Sequence, residues 1–325
     1  MKIALHSVYR EQTPGAPSVI DGLRDCGRHA RRHVLTQDLD EADAILVTEA
    51  WRHLDRPFYA LVRNSPIVER YPGKTFVYCD SDSPIYLMPG LYPSMSRHSR
   101  FSPSMRSCCY LQPEGRRFEQ LSVPDIEVDL LFSFAGNVRT NRVRGKIIKL
   151  RHPRAVVKDV RPNKKGAPRS VMGADYWHLI ARSKFVLCPR GAGLGTYRVF
   201  ETLCAGRVPV IISDDWHEPD GPNWDSISVR VRSRDVAEVP RILEQLEPEF
   251  EGMSARARSS YRYHFATEAL FDYVGDQLQS LLSRESSARW SRWQSRLLID
   301  ESKEAIRRPV KFGTSLFRAA ATPTR

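Results

Sequence analysis

From Ser183 to Asp215 the chain reads SKFVLCPRGAGLGTYRVFETLCAGRVPVIISDD, a combination of residue types suited to holding a phosphate and a diol. Gly191, Gly193 and Gly195 form a glycine-rich turn that feeds a helix opening near Thr196. The N–H groups of a helix start have no partners of their own, and together with the positive end of the helix dipole they make an anion site. Arg190 and Arg198 add fixed positive charge, and Arg190 stands where a departing diphosphate would gather negative charge. Glu201 lies one turn into the helix, where a carboxylate can accept from both hydroxyls of a ribose. Its alternative role is to balance Arg198 at i,i−3, a pairing of only a few tenths of a kcal/mol. Phosphate plus ribose points to a nucleotide.

A second strand-to-helix turn, Phe134-Ala135-Gly136-Asn137, carries Arg139 and Arg142. One of the two is expected to face the same diphosphate, and Arg139 is nearer the helix start. Arg144 and Lys146 read as solvated. Asp214 and Asp215 follow a buried strand and could contact sugar hydroxyls or cap their loop. Trp216 and Trp224 could stack on a sugar or base, or pack the loop.

The elements that must position these residues alternate along the chain. Candidate strands are 2–5, 33–35, 44–47 and 75–78, with a helix over 18–26 between the first two. Residues 81–113, rich in Ser, Pro, Tyr and Met, read as loops and short helices. A second alternation follows: strand 130–135, helix 141–150, strand 155–158, a basic loop over 161–169, helix 174–181, strand 185–188, helix 196–204 and strand 208–212. Strand 226–231 and helices 235–245 and 266–282 complete it. This is α/β patterning. Phe185-Val-Leu-Cys188 and Val208-Pro-Val-Ile-Ile212 are apolar on both faces, as in a parallel sheet covered by helices. The expected division is a Rossmann-like domain over 1–124, a second one over 125–282 that binds the nucleotide, and a basic helix and tail over 283–325. Two such domains facing across a cleft, with C-terminal helices, make the GT-B architecture. Trp290, Trp293 and Leu297 fall on one face of the last helix, which could cross back onto the first domain or lie on a membrane surface.

At 325 residues, with 41% hydrophobic residues, the chain can bury full cores and is not a disordered sequence. No apolar run approaches the roughly 18 residues of a membrane span, and the opening MKIALH is too short an apolar run for a signal peptide. The expected location is cytoplasmic, with peripheral attachment to the inner face of a membrane through the basic helix as an option. Cys26, Cys79, Cys108, Cys109, Cys188 and Cys204 show no metal-ligand spacing, and no metal site or cofactor is expected. The formal net charge of +12 suits polyanions, an anionic membrane or a nucleotide pocket, but no nucleic-acid-binding motif appears.

The stretch around the glycine turn resembles the exostosin-like glycosyltransferases, glycosyltransferase family 47. The matching pieces are Ser183-Lys184-Phe185, Cys188-Pro189-Arg190-Gly191, Arg198 with Glu201, and Ala205-Gly206 through Asp214. Phe134-Ala135-Gly136-Asn137 with Arg139 and Arg142, and Asn223-Trp224-Asp225-Ser226-Ile227-Ser228-Val229, also match. The resemblance runs from about Asp129 to Leu282 and is weak before it. It implies a GT-B enzyme that moves a sugar from a nucleoside diphosphate sugar, UDP-linked by expectation, to a saccharide or lipid-linked saccharide. It also implies inversion at the anomeric carbon and no metal requirement. The lack of a signal or membrane segment suggests, as an expectation, a bacterial-type enzyme that builds a surface or secreted glycan.

Such a transfer needs a group to take the acceptor's proton. In the first domain His6, Glu49, Asp80 and Asp82 lie near strand ends and are the candidates. The family pattern has a strand followed by histidine-aspartate. Here Thr75-Phe-Val-Tyr-Cys79 is followed by Asp80-Ser81-Asp82 with no histidine, and the Asp80/Asp82 pair is favoured. The same Asp-Ser-Asp could instead hold a divalent cation in a GT-A-type, metal-dependent mechanism. The non-enzymatic alternative is a polyanion-binding protein using its basic surface.

Overall fold

The computed structural model describes residues 1–9, 19–49, 64–82, 88–99, 104–111, 123–160 and 174–282, with the single positions 62, 84 and 86. The expectations for the basic loop 161–169 and for the helix and tail over 283–325, membrane contact included, lie outside these residues. Chain order is β1 (Lys2–His6), α1 (Val19–Gly27), β2 (Val34–Thr36), β3 (Ala44–Thr48), α2 (Pro66–Arg70), β4 (Thr75–Tyr78), β5 (Gly90–Tyr92) and β6 (Met105–Ser107). The second half continues with β7 (Leu130–Gly136), α3 (Arg142–Ile147), β8 (Ala155–Asp159), α4 (Ala174–Ala181), β9 (Ser183–Pro189), α5 (Tyr197–Cys204) and β10 (Val208–Ile212). It closes with α6 (Trp224–Ile227), β11 (Val229–Arg230), α7 (Val239–Leu246), α8 (Phe250–His264) and α9 (Thr267–Leu282).

Two parallel sheets result, ordered β2-β1-β3-β4-β5-β6 and β11-β10-β9-β7-β8. Both follow one winding rule. The first strand of each half sits between the second and third, so strand order reverses beside β1 and again beside β7. Ligands of open α/β sheets bind outside the carboxyl ends of the strands at that reversal. The central strands are apolar on both faces and fully buried: Ala44-Ile-Leu-Val-Thr48, Leu130-Leu-Phe-Ser-Phe-Ala-Gly136 and Val208-Pro-Val-Ile-Ile212. The fold is α/β, two parallel sheets with helices in a GT-B arrangement, as the sequence indicated.

Three stretches differ from the sequence reading. Residues 81–113 contain β5 and β6, three residues each, too short to show a period. Gly90 is what lets β5 close on β4, since a Cβ there would stand 2.0 Å from the Val77 carbonyl oxygen. The expected strand 226–231 is split between the turn of helix α6 and a two-residue β11. Helix α8 was missed because Arg and Ser fill most of its faces, leaving Phe250, Met253, Ala257 and Tyr261 as its buried stripe.

The chain also crosses back earlier than expected. Helix α9, placed with the second domain by the sequence reading, packs on α1, β3, β5 and β6 of the first. Its Asp272 carboxylate accepts from the backbone N–H groups of Arg31, Arg32 and His33 at 2.8, 3.0 and 3.0 Å. The two halves share one apolar cluster that runs from Leu46, Tyr78 and Tyr110 through Phe200 and Trp216 to Phe265 and Phe271.

Candidate functional site

The turn after β9 lies on the seam between the halves. None of its glycines has a positive φ; the positive-φ glycines among the described residues are Gly206 and Gly221. The turn uses glycine for close approach instead. A Cβ on Gly193 would stand 2.6 Å from both Asp82 Oδ1 and Ser94 Oγ, and one on Gly195 would stand 2.7 Å from the Pro93 carbonyl oxygen. Thr196 is the N-cap of α5 with extended backbone (φ −150°, ψ 139°), and its side chain caps nothing. The Val199 N–H of the first turn is taken by the Thr196 carbonyl at 3.3 Å.

Three arginines converge beneath the turn. Arg144 projects from α3, whose start is fixed by Asn141 capping the Val143 N–H at 3.0 Å. Its guanidinium donates to the carbonyls of Arg190, Asn137 and Pro189 at 3.0, 3.2 and 3.2 Å, tying the ends of β7 and β9 together. This corrects the expectation that Arg144 is solvated: it is 8% exposed. Burial, and after it the charge of Arg198, pushes its pKa down to about 10. Arg198 is buried over the Phe134 ring and donates from Nη2 to the Ala135 carbonyl at 2.6 Å. Burial works against its charge, but Tyr176, Cys188 and Glu201 outweigh it, so its pKa is raised. Arg190 Nε and Arg198 Nη1 are buried and have no acceptor in the protein among the described residues. Buried donors are normally satisfied, so these two guanidinium N–H groups could donate to an anion.

Glu201 is joined to Arg198 through a third residue. The Tyr176 hydroxyl donates to Glu201 Oε2 at 2.6 Å and accepts from Arg198 Nε at 3.1 Å. Burial raises the Glu201 pKa, and the tyrosine hydrogen bond and Arg198 oppose the rise. Cys188, one residue before the end of β9, lies beside this group, with its thiol pushed up to about 12 by burial. A thiol so far from ionising is no nucleophile.

On the facing half, Asp80 and Asp82 follow β4, Asp80 half-buried and Asp82 exposed toward the glycine turn. Glu49 is buried at the strand reversal of the first sheet and accepts from Ser7 Oγ and the Tyr9 N–H, each at 3.2 Å. His6 ends β1 next to that reversal. The structure thus brings Asp82 to the turn and sets Glu49 and His6 at a neighbouring position along the same sheet end.

The remaining candidates are placed less centrally. Arg139 and Arg142 are exposed, and the inward position on their segment belongs to Arg144. Asp214 is exposed and takes the capping role, accepting from the Ser233 N–H at 2.8 Å. Trp216 packs the seam: it is buried, bridges to Ser96, and donates from Nε1 to the Pro93 carbonyl at 2.8 Å. Trp224 packs against Trp216 and donates to the Pro219 carbonyl at 2.8 Å. Tyr176, Arg144 and Ser94 were not found as site residues from sequence. Asn141, a capping residue that sets the start of α3, was the one available hint that Arg144 would turn inward.

The two doubly flanked parallel sheets, with a cation-rich glycine turn at the reversal of the second, define a GT-B-type α/β protein. Residues 108–246 match the Exostosin GT47 domain. An Exostosin-1 homolog of Caenorhabditis elegans is 44% identical over 71 residues, which are 21% of this chain and 19% of that protein. A probable glucuronoxylan glucuronosyltransferase of Arabidopsis thaliana is 30% identical over 142 residues, 42% of this chain and 32% of that one. The chain therefore spans a third or less of the length of these relatives. Among solved structures, T4 phage BGT in complex with its UDP-glucose substrate aligns over 87% of this chain and 99% of its own, at 12% identity and a TM-score of 0.41. HepE of Anabaena in complex with UDP aligns over 86% of this chain and 100% of its own, at 11% identity and a TM-score of 0.38.

Proposed function

We propose that this protein is a glycosyltransferase that moves a sugar from a nucleoside diphosphate sugar, UDP-linked, to a saccharide hydroxyl. The observation that supports it most is the pair of buried donors, Arg190 Nε and Arg198 Nη1, that have no acceptor among the described residues, beside a glycine turn that opens α5. In this reading the diphosphate lies on the turn and the start of α5, where backbone N–H groups and Arg190 face the charge that grows as the sugar–phosphate bond breaks. Glu201 accepts from the ribose. The acceptor hydroxyl approaches from the first half and gives its proton to Asp80 or Asp82 as its oxygen bonds to the anomeric carbon. A single displacement of this kind inverts that carbon. The cationic group takes the place that a divalent metal fills in GT-A enzymes, so the reaction is expected to proceed without one.

Thermal shift and calorimetry of the full chain with UDP, ADP, GDP, CDP and their common sugar conjugates test the reading. A ligand bound by the native state raises the melting temperature by mass action. Binding of one nucleoside diphosphate family, and turnover that survives EDTA, are the expected results. No nucleotide binding would remove the reading. A reproducible manganese requirement would instead make Asp80-Ser81-Asp82 a metal site.

A further inference from the structure

Arg198 and Glu201 stand three residues apart on α5, the spacing at which an arginine and a glutamate pair directly on a helix. They do not pair here. The hydroxyl of Tyr176, brought in by α4, stands between them and occupies one group on each: Glu201 Oε2 at 2.6 Å and Arg198 Nε at 3.1 Å. Arg198 is pinned on its other side by the Ala135 carbonyl at the end of β7, and its guanidinium lies over the rings of Phe134 and Tyr176, 4.9 and 5.8 Å from their centroids. The tyrosine hydroxyl is thus held by a fixed cation and in turn holds the carboxylate. Among the described residues Glu201 Oε1 receives no hydrogen bond. A carboxylate with one oxygen fixed and one free has a single direction in which to accept.

We infer that Tyr176 is a positioning residue for donor recognition: its hydroxyl keeps the Glu201 carboxylate off Arg198 and turned so that Oε1 is presented to the ribose hydroxyls. The inference rests on the nucleotide reading above. Without the hydroxyl, Glu201 swings onto Arg198 Nε, which would otherwise be a buried donor with no acceptor, and the ribose loses its partner. The groups that face Glu201 are Tyr176 from α4, Cys188 from β9 and Arg198 on its own helix. The Cys188 thiol stays protonated, so no second anion competes for the arginine.

The test compares UDP with 2′,3′-dideoxy-UDP, by calorimetry, on wild type and Tyr176→Phe. A lost charge-assisted hydrogen bond is about tenfold in affinity or somewhat more. The expected result is a roughly tenfold weaker affinity of Tyr176→Phe for UDP, with that for the dideoxy nucleotide changed by less than about twofold. A hydroxyl that merely staples α4 to α5 would weaken both ligands alike, and that result, or no loss at all, would overturn the inference while leaving the nucleotide reading in place. If wild type binds no nucleoside diphosphate, both fall together. Tyr176→His keeps a ring and an N–H donor; it should retain part of the preference for UDP, and it carries the same comparison if Tyr176→Phe does not fold.

Discussion

Asp82 and Gly193 come from opposite halves of the molecule, and a single added methyl on Gly193 would stand 2.6 Å from the Asp82 carboxylate. This contact puts an acid of the first sheet against the turn of the second. It also explains the glycine: position 193 is small because Asp82 and Ser94 fill the space a side chain would need.

Gly193→Ala should therefore cost both turnover and stability. The Asp82 carboxylate and Ser94 hydroxyl can swing aside, but Asp82 Cα, 3.1 Å from the new methyl, limits the movement. Overpacking of this kind costs about 1–3 kcal/mol, and the displaced carboxylate should lower kcat by about tenfold or more. Gly145→Ala is the control, because nothing lies within 4 Å of a Cβ there. Its melting temperature should be unchanged or slightly higher, as for a helical glycine replaced by alanine.

Asp80→Asn and Asp82→Asn separate proton transfer from binding. One of the two should bind donor normally and lose about 10²–10⁴-fold in rate. Near-full rates in both would move the base to Glu49, which sits at the strand reversal of the first sheet with Ser7 and Tyr9 as partners.

Arg144→Met removes the guanidinium that joins three carbonyls at the ends of β7 and β9. The expected loss is about 2–3 kcal/mol in chemical denaturation, together with weaker donor binding as the glycine turn loosens. Lys146→Ala, two residues on and exposed, should change neither. Equal behaviour of the two variants would show that Arg144 does not hold the turn.

Acid stability should carry the mark of Glu247. Hydrogen bonds from Arg154 and then Lys184 hold its carboxyl down at about 2, against an ordinary value of 4.5. A carboxyl depressed in the folded state stabilises the fold above its unfolded pKa, and the contribution is lost as pH falls through the folded value. The window is thus from about pH 4.5 down to about 2. Each unit is worth about 1.4 kcal/mol, and screening at this partly exposed site reduces the total to about 1–2 kcal/mol. Glu247→Gln should melt lower than wild type at pH 7, with the gap closing as pH drops through that window. A gap that stays constant with pH would contradict it.

What the sequence by itself determined was local. Apolar runs such as Phe185–Cys188 and Val208–Ile212 can only be buried strands. Glycines before Thr196 mark the turn, and the caps Asn137 and Asn141 start the next segment. Hydrogen bonding and burial over a few residues decide such features, so they can be read in order along the chain, and the α/β class and the glycine turn follow from them. The tertiary structure alone decided which side chains meet. Arg144 looked like a surface cation because its burial depends on the carbonyls of Asn137 after β7, Pro189 at the end of β9 and Arg190 after it. Tyr176 carried no signal, since its partners Arg198 and Glu201 reach it only when α4 and α5 both pack on β9. Trp216 could have been a stacking platform, but its place is set by Pro93 and Ser96 of the other half. Helix α9 showed its apolar stripe in the sequence, yet which sheet would receive it was settled by the N–H groups of Arg31, Arg32 and His33 waiting for Asp272. In each case the deciding partner is distant in the chain, and no local pattern of residues encodes a distance that only the packing of two sheets creates.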